Sequence, residues 1–246
     1  MDKTLLKGLQ VLELVTSSDQ NVRITDVATT LQLTKSNAYR LLRSLEAAGY
    51  VSQNAVTKEF APNLKIWELG MQVIRRFDFR ARAAETLRDL ADRSRETVHL
   101  AILDGREVIY IDKVDSLEPV AAYTRLGGRA PAHCVATGKA LLAELPEAEL
   151  APRLEGLVRH SPFTIVDPMK LLAELRQVRA QGYAINRGEW RDSVWGIACP
   201  IKDSKGVVTA AVGVSGPRYR LDDIERSDSL TAMVQTAAAQ IGKLAM

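Results

Sequence analysis

The chain has 246 residues, 46% hydrophobic and 26% charged, the profile of a soluble globular protein with one large domain or two ordinary ones. It holds no run of ~20 apolar residues and no basic-apolar-small leader, so no membrane span is expected and a cytoplasmic location is. Two cysteines, Cys134 and Cys199, cannot build a disulfide framework and fit a reducing compartment. The net charge of +3 permits nucleic-acid binding without establishing it, and 5% aromatic content argues against a stacking platform for single strands.

In chain order, residues 3–18 predict a helix with Leu5, Leu9 and Leu12 on one face and Leu6, Val11 and Val15 beside it. A second, short helix follows, with Thr25 as its candidate N-cap and Val27, Ala28 and Leu31 as its apolar face. Thr34 caps a third helix over 35–48. It buries Ala38, Leu41, Leu42 and Leu45 and leaves Lys35, Ser36, Asn37, Tyr39, Arg40 and Arg43 outside. Gly49 ends it. "YVSQN" and "KEFAP" then read as a hairpin around a turn near 54–57. Two short helices joined by a tight turn, with a hairpin behind them, make a winged helix-turn-helix over residues 1–62.

Pro62 marks a boundary. "NLKIWELGMQVIRRF" predicts a linker helix within 63–79, apolar over much of its circumference and so expected to be buried on more than one side. An arginine-rich helix follows, with Leu87, Leu90 and Ala91 on one side. Residues 97–115 predict two strands joined by Asp104-Gly105. "AAYTRLGGRAPAHCVATGKALLAEL" reads as a strand, a Gly-Gly turn and a helix. Residues 168–182 form another amphipathic helix stopped by Gly182. The stretch 183–217 is strand-rich with a turn at 202–206, and a helix from Leu221 to Leu244 closes the chain. Residues 80–246 are thus α+β, an antiparallel sheet flanked by helices.

The helix at 35–48 has the chemistry of a DNA reader. A helix N-terminus offers free N–H groups and partial positive charge to a phosphate. Ser36, Asn37 and Tyr39 can donate to phosphates or base edges, and Arg40 and Arg43 can bind phosphate or guanine in bidentate fashion. Lys35, Thr25 on the preceding helix and Lys58 on the hairpin complete the candidate surface. Through Lys65 the domain has eight lysines and arginines against six acids, a net +2, so tight binding requires a dimer.

The sequence resembles the IclR family of bacterial transcriptional regulators over nearly its whole length. The resemblance is carried by "TKSNAYRLLRSLEAAGYV", "RAPAHCVATGKALLAEL" and "GYAINRGEWRDSVWGIACPIKDSKGVVTAAVGVSGP". It implies a GAF-like effector-binding domain behind the winged helix. It also implies homodimers or homotetramers on a palindromic operator in double-stranded DNA, controlling a catabolic operon as repressor or activator. Ala130, Thr137, Asn186, Gly196 and Ser215 sit where the family's effector-pocket residues align, and His133, Ala136, Trp195 and Cys199 join them as candidates. Departures are Thr34 in place of a frequent proline, the order Gly196-Ile197-Ala198-Cys199-Pro200, Asn186 where some members carry Asp, and Gly213 where a serine is common. These predict a roomier, less polar pocket for a small organic acid or aromatic metabolite. Small residues at Ala136 and Gly138 leave space, and Trp190 and Trp195 could wall the ligand.

Rival readings are weak in the sequence. His133 and Cys134 are adjacent but lack a third, orienting group, so no enzyme is expected. His99, His133, His160, Cys134 and Cys199 show no metal-ligand spacing, and no cofactor or structural metal is expected. An effector domain acting only as an oligomerisation scaffold or a metal sensor is the alternative.

Overall fold

The computed structural model describes residues 2–75 and 79–244, in two compact units, Met1–Phe77 and Asp78–Met246. The first unit opens with α1 (Lys3–Ser17), α2 (Ile24–Thr30) and α3 (Lys35–Ala47), followed by the hairpin β1 (Val51–Gln53) and β2 (Phe60–Pro62). Its core is Val11, Val15, Val27, Ala38, Leu42, Val51 and Phe60, all nearly or fully buried. The Val22–Phe60 bridge ties the wing back to the start of α2. Thr34 caps α3 as expected, its hydroxyl accepting from the Asn37 N–H at 3.3 Å. Gly49, at φ +80°, turns the chain out of α3 into the hairpin.

Two expectations fail in this unit, the cap of α2 and the burial of the linker helix, and the apolar face of α1 is only partly covered. The N-cap of α2 is Arg23, not Thr25: the Arg23 N–H donates to the Asp26 carboxylate at 2.8 Å, leaving Thr25 exposed inside the first turn. On α1 the core takes Val11 and Val15, whereas Leu5, Leu6 and Leu9 are exposed, Leu5 by 62%. The linker helix, α4 (Lys65–Ile74), buries none of its side chains, and Trp67 is 64% exposed. One chain does not cover those faces. The C-terminal end of the expected linker falls on residues 76–78, outside the described residues.

The second unit starts with α5 (Phe79–Ser94). Strands β3 (Thr97–Asp104), β4 (Glu107–Val114) and β5 (Arg129–Pro131) follow. Next come α6 (Ala136–Glu144), α7 (Glu147–Leu150), α8 (Pro168–Gln181) and strands β6 (Ala184–Arg187), β7 (Val194–Lys202) and β8 (Val208–Pro217). Helices α9 (Arg218–Leu221) and α10 (Ile224–Leu244) end it. The six strands form one sheet in the order β5-β4-β3-β8-β7-β6, every neighbouring pair antiparallel. Helices α6 and α8 cover one face, and α5 and α10 pack on the other side. The central strand β3 is buried from Thr97 to Ala101 because both faces are covered. The strand expected ahead of Gly127-Gly128 does not form there; pairing begins after the turn, at Arg129.

Register builds the floor of the functional cavity. Asn186 pairs with Gly196, Gly196 with Ser215, and Ser215 with Thr97, so one row crosses four strands. His99, Gly213, Ala198 and Ala184 form the next row. Glycine does not add room at Gly213 in the second row or at Gly138 on α6. A Cβ on Gly213 would lie 2.6 Å from the Ala198 Cβ, and one on Gly138 would lie 2.2 Å from the Ala132 carbonyl oxygen. Both glycines permit close packing, which corrects the expectation of a widened pocket.

Candidate functional site

In the first unit the polar end of α3 is presented to solvent. Lys35, Ser36, Tyr39, Arg40 and Arg43 are exposed and Asn37 is half-buried. The side chains are ordered among themselves. The Ser36 and Thr34 hydroxyls lie 3.2 Å apart, and the Arg40 guanidinium donates to the Asn37 side-chain oxygen at 3.1 Å. Arg43 is paired with Glu46 at 2.5 Å, which draws it towards the C-terminal end of α3. Lys58 is exposed on the hairpin turn, at φ +62°, and the Gln53 side chain donates to its carbonyl. The free N–H groups at the start of α3, Arg40 and Lys58 are therefore available to a polyanion.

The second unit holds a cavity between the sheet and α6, with about 520 Å³ of empty space counting its mouth. Of the candidate effector contacts, Ala136, Thr137, Asn186, Gly196 and Ser215 line it. Ala130, His133, Trp195 and Cys199 do not. Successive residues of a strand face opposite sides, so a β7 that turns Gly196 to the cavity and Ala198 to the core under α6 points the Trp195 and Cys199 side chains away. Trp195 lies under the Arg218 guanidinium, and Cys199 borders a groove with Gln235 and Ala238 of α10. Ala130 is packed in the core on β5. His133 turns away, its Nε2–H donating to the Val158 carbonyl at 3.1 Å.

Residues not singled out as contacts supply much of the chemistry. His99 and Tyr110 stand on β3 and β4 with ring centroids 5.0 Å apart. His99 Nε2 is 2.5 Å from the Ser215 hydroxyl, and the Thr124 hydroxyl is 3.2 Å from Nδ1. Burial lowers the His99 pKa to about 4, with Lys113 adding to the shift and Asp115 opposing it. The ring is neutral at pH 7 and donates through one nitrogen while accepting through the other. Burial pushes the Tyr110 hydroxyl up to about 12, opposed by its bond to Thr137 and by Arg191. The interior is thus polar but uncharged. Positive charge enters at two places: the exposed Arg191 at the mouth and the free N–H groups at the start of α6, whose N-cap Val135 offers no side-chain acceptor. In the sequence His99 is a lone titratable residue in an otherwise apolar strand segment, and that is the signal that marks it.

A buried support holds the wall. The Asn186 side-chain oxygen accepts from the Gly188 and Glu189 N–H groups, both at 3.0 Å, which shapes the loop carrying Trp190 and Arg191. The Ser161 hydroxyl donates to the Gly188 carbonyl and the Thr164 hydroxyl to the Glu189 carbonyl, each at 2.6 Å. Fully buried Lys139 bridges Glu174 at 2.5 Å and Glu189 at 2.6 Å. Asn186 is therefore as much a builder of the wall as a candidate contact.

Comparison with known proteins decides the family. The "IclR helix-turn-helix domain" matches residues 4–55, and "Bacterial transcriptional regulator IclR C-terminal" matches residues 71–243. The chain belongs to the IclR family of bacterial transcriptional regulators. It is 35% identical to the transcriptional regulator XynR of Escherichia coli over 95% of this chain and 93% of that one. It is 34% identical to KdgR of Escherichia coli, over 97% and 90%. The crystal structure of an IclR homolog complexed with 4-hydroxybenzoate from Microbacterium hydrocarbonoxydans superposes with a TM-score of 0.85 at 26% identity, covering 98% of each chain. The protein is thus a regulator with a DNA-binding helix-turn-helix and a ligand-binding C-terminal domain, and not an enzyme. The chemistry agrees: burial pushes both cysteine thiols up to about 12, with Glu189 adding to the shift at Cys134, so neither is a ready nucleophile. Among the described residues no helix is long and apolar enough to cross a membrane.

Proposed function

We propose that this regulator binds a palindromic operator as a dimer and releases or grips it according to a small carboxylate held in the His99–Ser215 cavity. The carrying observation is the placement of charge. A neutral polar interior ends at an uncapped helix N-terminus, and a guanidinium stands at the mouth. Such a site favours an anion whose body is apolar or aromatic and carries a hydroxyl or carbonyl for Ser215 and Tyr110. The 4-hydroxybenzoate bound by the Microbacterium relative has that form, and the repressor AllR, 33% identical over 97% of this chain, supports a repressing role. Thr25, Lys35, Ser36, Asn37, Tyr39, Arg40, Arg43 and Lys58 form the operator surface in this reading. The exposed apolar faces of α1 and α4 are the self-association surface, which doubles the phosphate contacts of a weakly basic domain. A ligand acts here by binding one dimer arrangement better than the other.

The test is a thermal-shift and calorimetry series on the full chain with aliphatic and aromatic carboxylates, 4-hydroxybenzoate first. Binding that stabilises the protein, is weakened in Ser215→Ala and Arg191→Ala, and changes operator affinity is the expected result. Carboxylates that bind equally well to both variants would move the effector site elsewhere.

A further inference from the structure

The fold brings together three metal-ligating side chains that the sequence leaves scattered. His133 and Cys134 end the short turn before α6, and His160 lies on the 158–164 loop. One ligand atom from each falls within 4.8 Å of the other two. The two imidazole ring centroids lie 5.9 Å apart, their planes tilted by 50°. None of the three lines the effector cavity.

We infer that His133, Cys134 and His160 form a site for a borderline-soft divalent cation of the zinc class, with its fourth position open to solvent. The donor set of two imidazoles and a thiolate suits zinc, and such three-ligand sites keep one position for water or a small ligand. The hydrogen bond from His133 Nε2–H to the Val158 carbonyl leaves the lone pair on Nδ1 and fixes the ring, as partners of metal-bound histidines do. With bonds of about 2.0–2.3 Å, tetrahedral ligand atoms lie roughly 3.3–3.6 Å apart. Closure therefore needs a movement of ~1 Å. His160 can supply it, because its side chain is exposed whereas His133 and Cys134 are buried. On binding, the Cys134 thiol proton leaves to solvent and a metal–sulfur bond forms.

The site also touches the wall of the cavity. Ser161 and Thr164, one and four residues past His160, hold the Gly188 and Glu189 carbonyls of the loop that carries Trp190 and Arg191. An ion on His160 would stiffen this strap without entering the cavity.

The experiment is a titration of the chelator-stripped full chain with Co²⁺, read by absorbance. The expected result is a single equivalent with visible tetrahedral bands and a near-ultraviolet thiolate-to-metal band, all displaced by Zn²⁺. Cys134→Ser should lose the thiolate band, and His160→Ala, a change at an exposed side chain, should weaken binding by at least ~100-fold. Cys199→Ser should bind as the parent does. Absence of the bands in the parent, their survival in Cys134→Ser, their loss in Cys199→Ser, or unchanged affinity in His160→Ala would overturn the site. No operator or carboxylate enters this measurement, so its outcome is independent of the reading of the cavity.

Discussion

Two ion pairs of equal length divide the molecule. Arg43–Glu46 on α3 and Lys139–Glu174 beneath the effector cavity both measure 2.5 Å. The first is half in water, with side chains 51% and 26% exposed; the second includes a lysine that is fully buried and shared with Glu189. Separation is the same, but what happens when a partner leaves is not. Arg43 can trade Glu46 for water or a phosphate at little cost. Lys139 cannot be withdrawn without leaving carboxylate charge in the interior. The winged helix keeps its charges available for exchange, whereas the effector domain uses them to hold a wall in place.

The strongest way to break this contrast is to remove each cation in turn. Lys139→Met is expected to destabilise the effector domain by about 3–5 kcal/mol, read as the urea midpoint. Arg43→Met should change stability by no more than ~0.5 kcal/mol. Equal effects would mean that burial does not separate the two pairs.

Acid provides a second, smaller lever. The folded-state pKa of His99, about 4, lies below its ordinary 6.5. The unfolded chain therefore binds the extra proton first. The stabilisation is complete above pH 6.5 and is lost as pH falls towards 4, on the order of 3 kcal/mol. Urea melts at pH 7 and pH 4.5 should show this slope in the parent and a shallower one in His99→Gln. Parallel slopes would remove His99 as its source.

Next comes Arg40→Ala, expected to weaken operator binding by ~1–3 kcal/mol while the melting curve stays in place. A parent-like operator affinity would take α3 off the DNA. A local effect closes the series: Thr34→Ala removes the cap of α3 and should cost about 1 kcal/mol of stability in the winged helix alone.

What the sequence made legible follows from the range of the forces involved. The cap at Thr34, the Asp104-Gly105 hairpin, the Gly182 stop on α8 and the cores of α3 and α5 are local signals, and each is present. Among the helix faces, α4 misled and α1 is covered only at Val11 and Val15, because periodicity reports that a face is apolar but not what covers it. The resemblance sets Trp195 and Cys199 in the pocket although strand alternation points them away from it, while Trp190, on the loop that leads into β7, does line it. His160 lies 26 positions from Cys134 in sequence, so its approach to His133 and Cys134 depends on how the 158–164 loop folds back. No spacing rule carries that information.

The row Asn186–Gly196–Ser215–Thr97 has a consequence for how such a regulator can diverge. Its four members come from four strands and share a line only because every register agrees. A substitution alters one position on the line. An insertion or deletion of a single residue within β7 or β8 would flip that strand's alternation and replace the cavity floor with side chains meant for α10. New ligand preferences are thus reachable by point changes in these strands, while changes in length must be confined to the turns that join them.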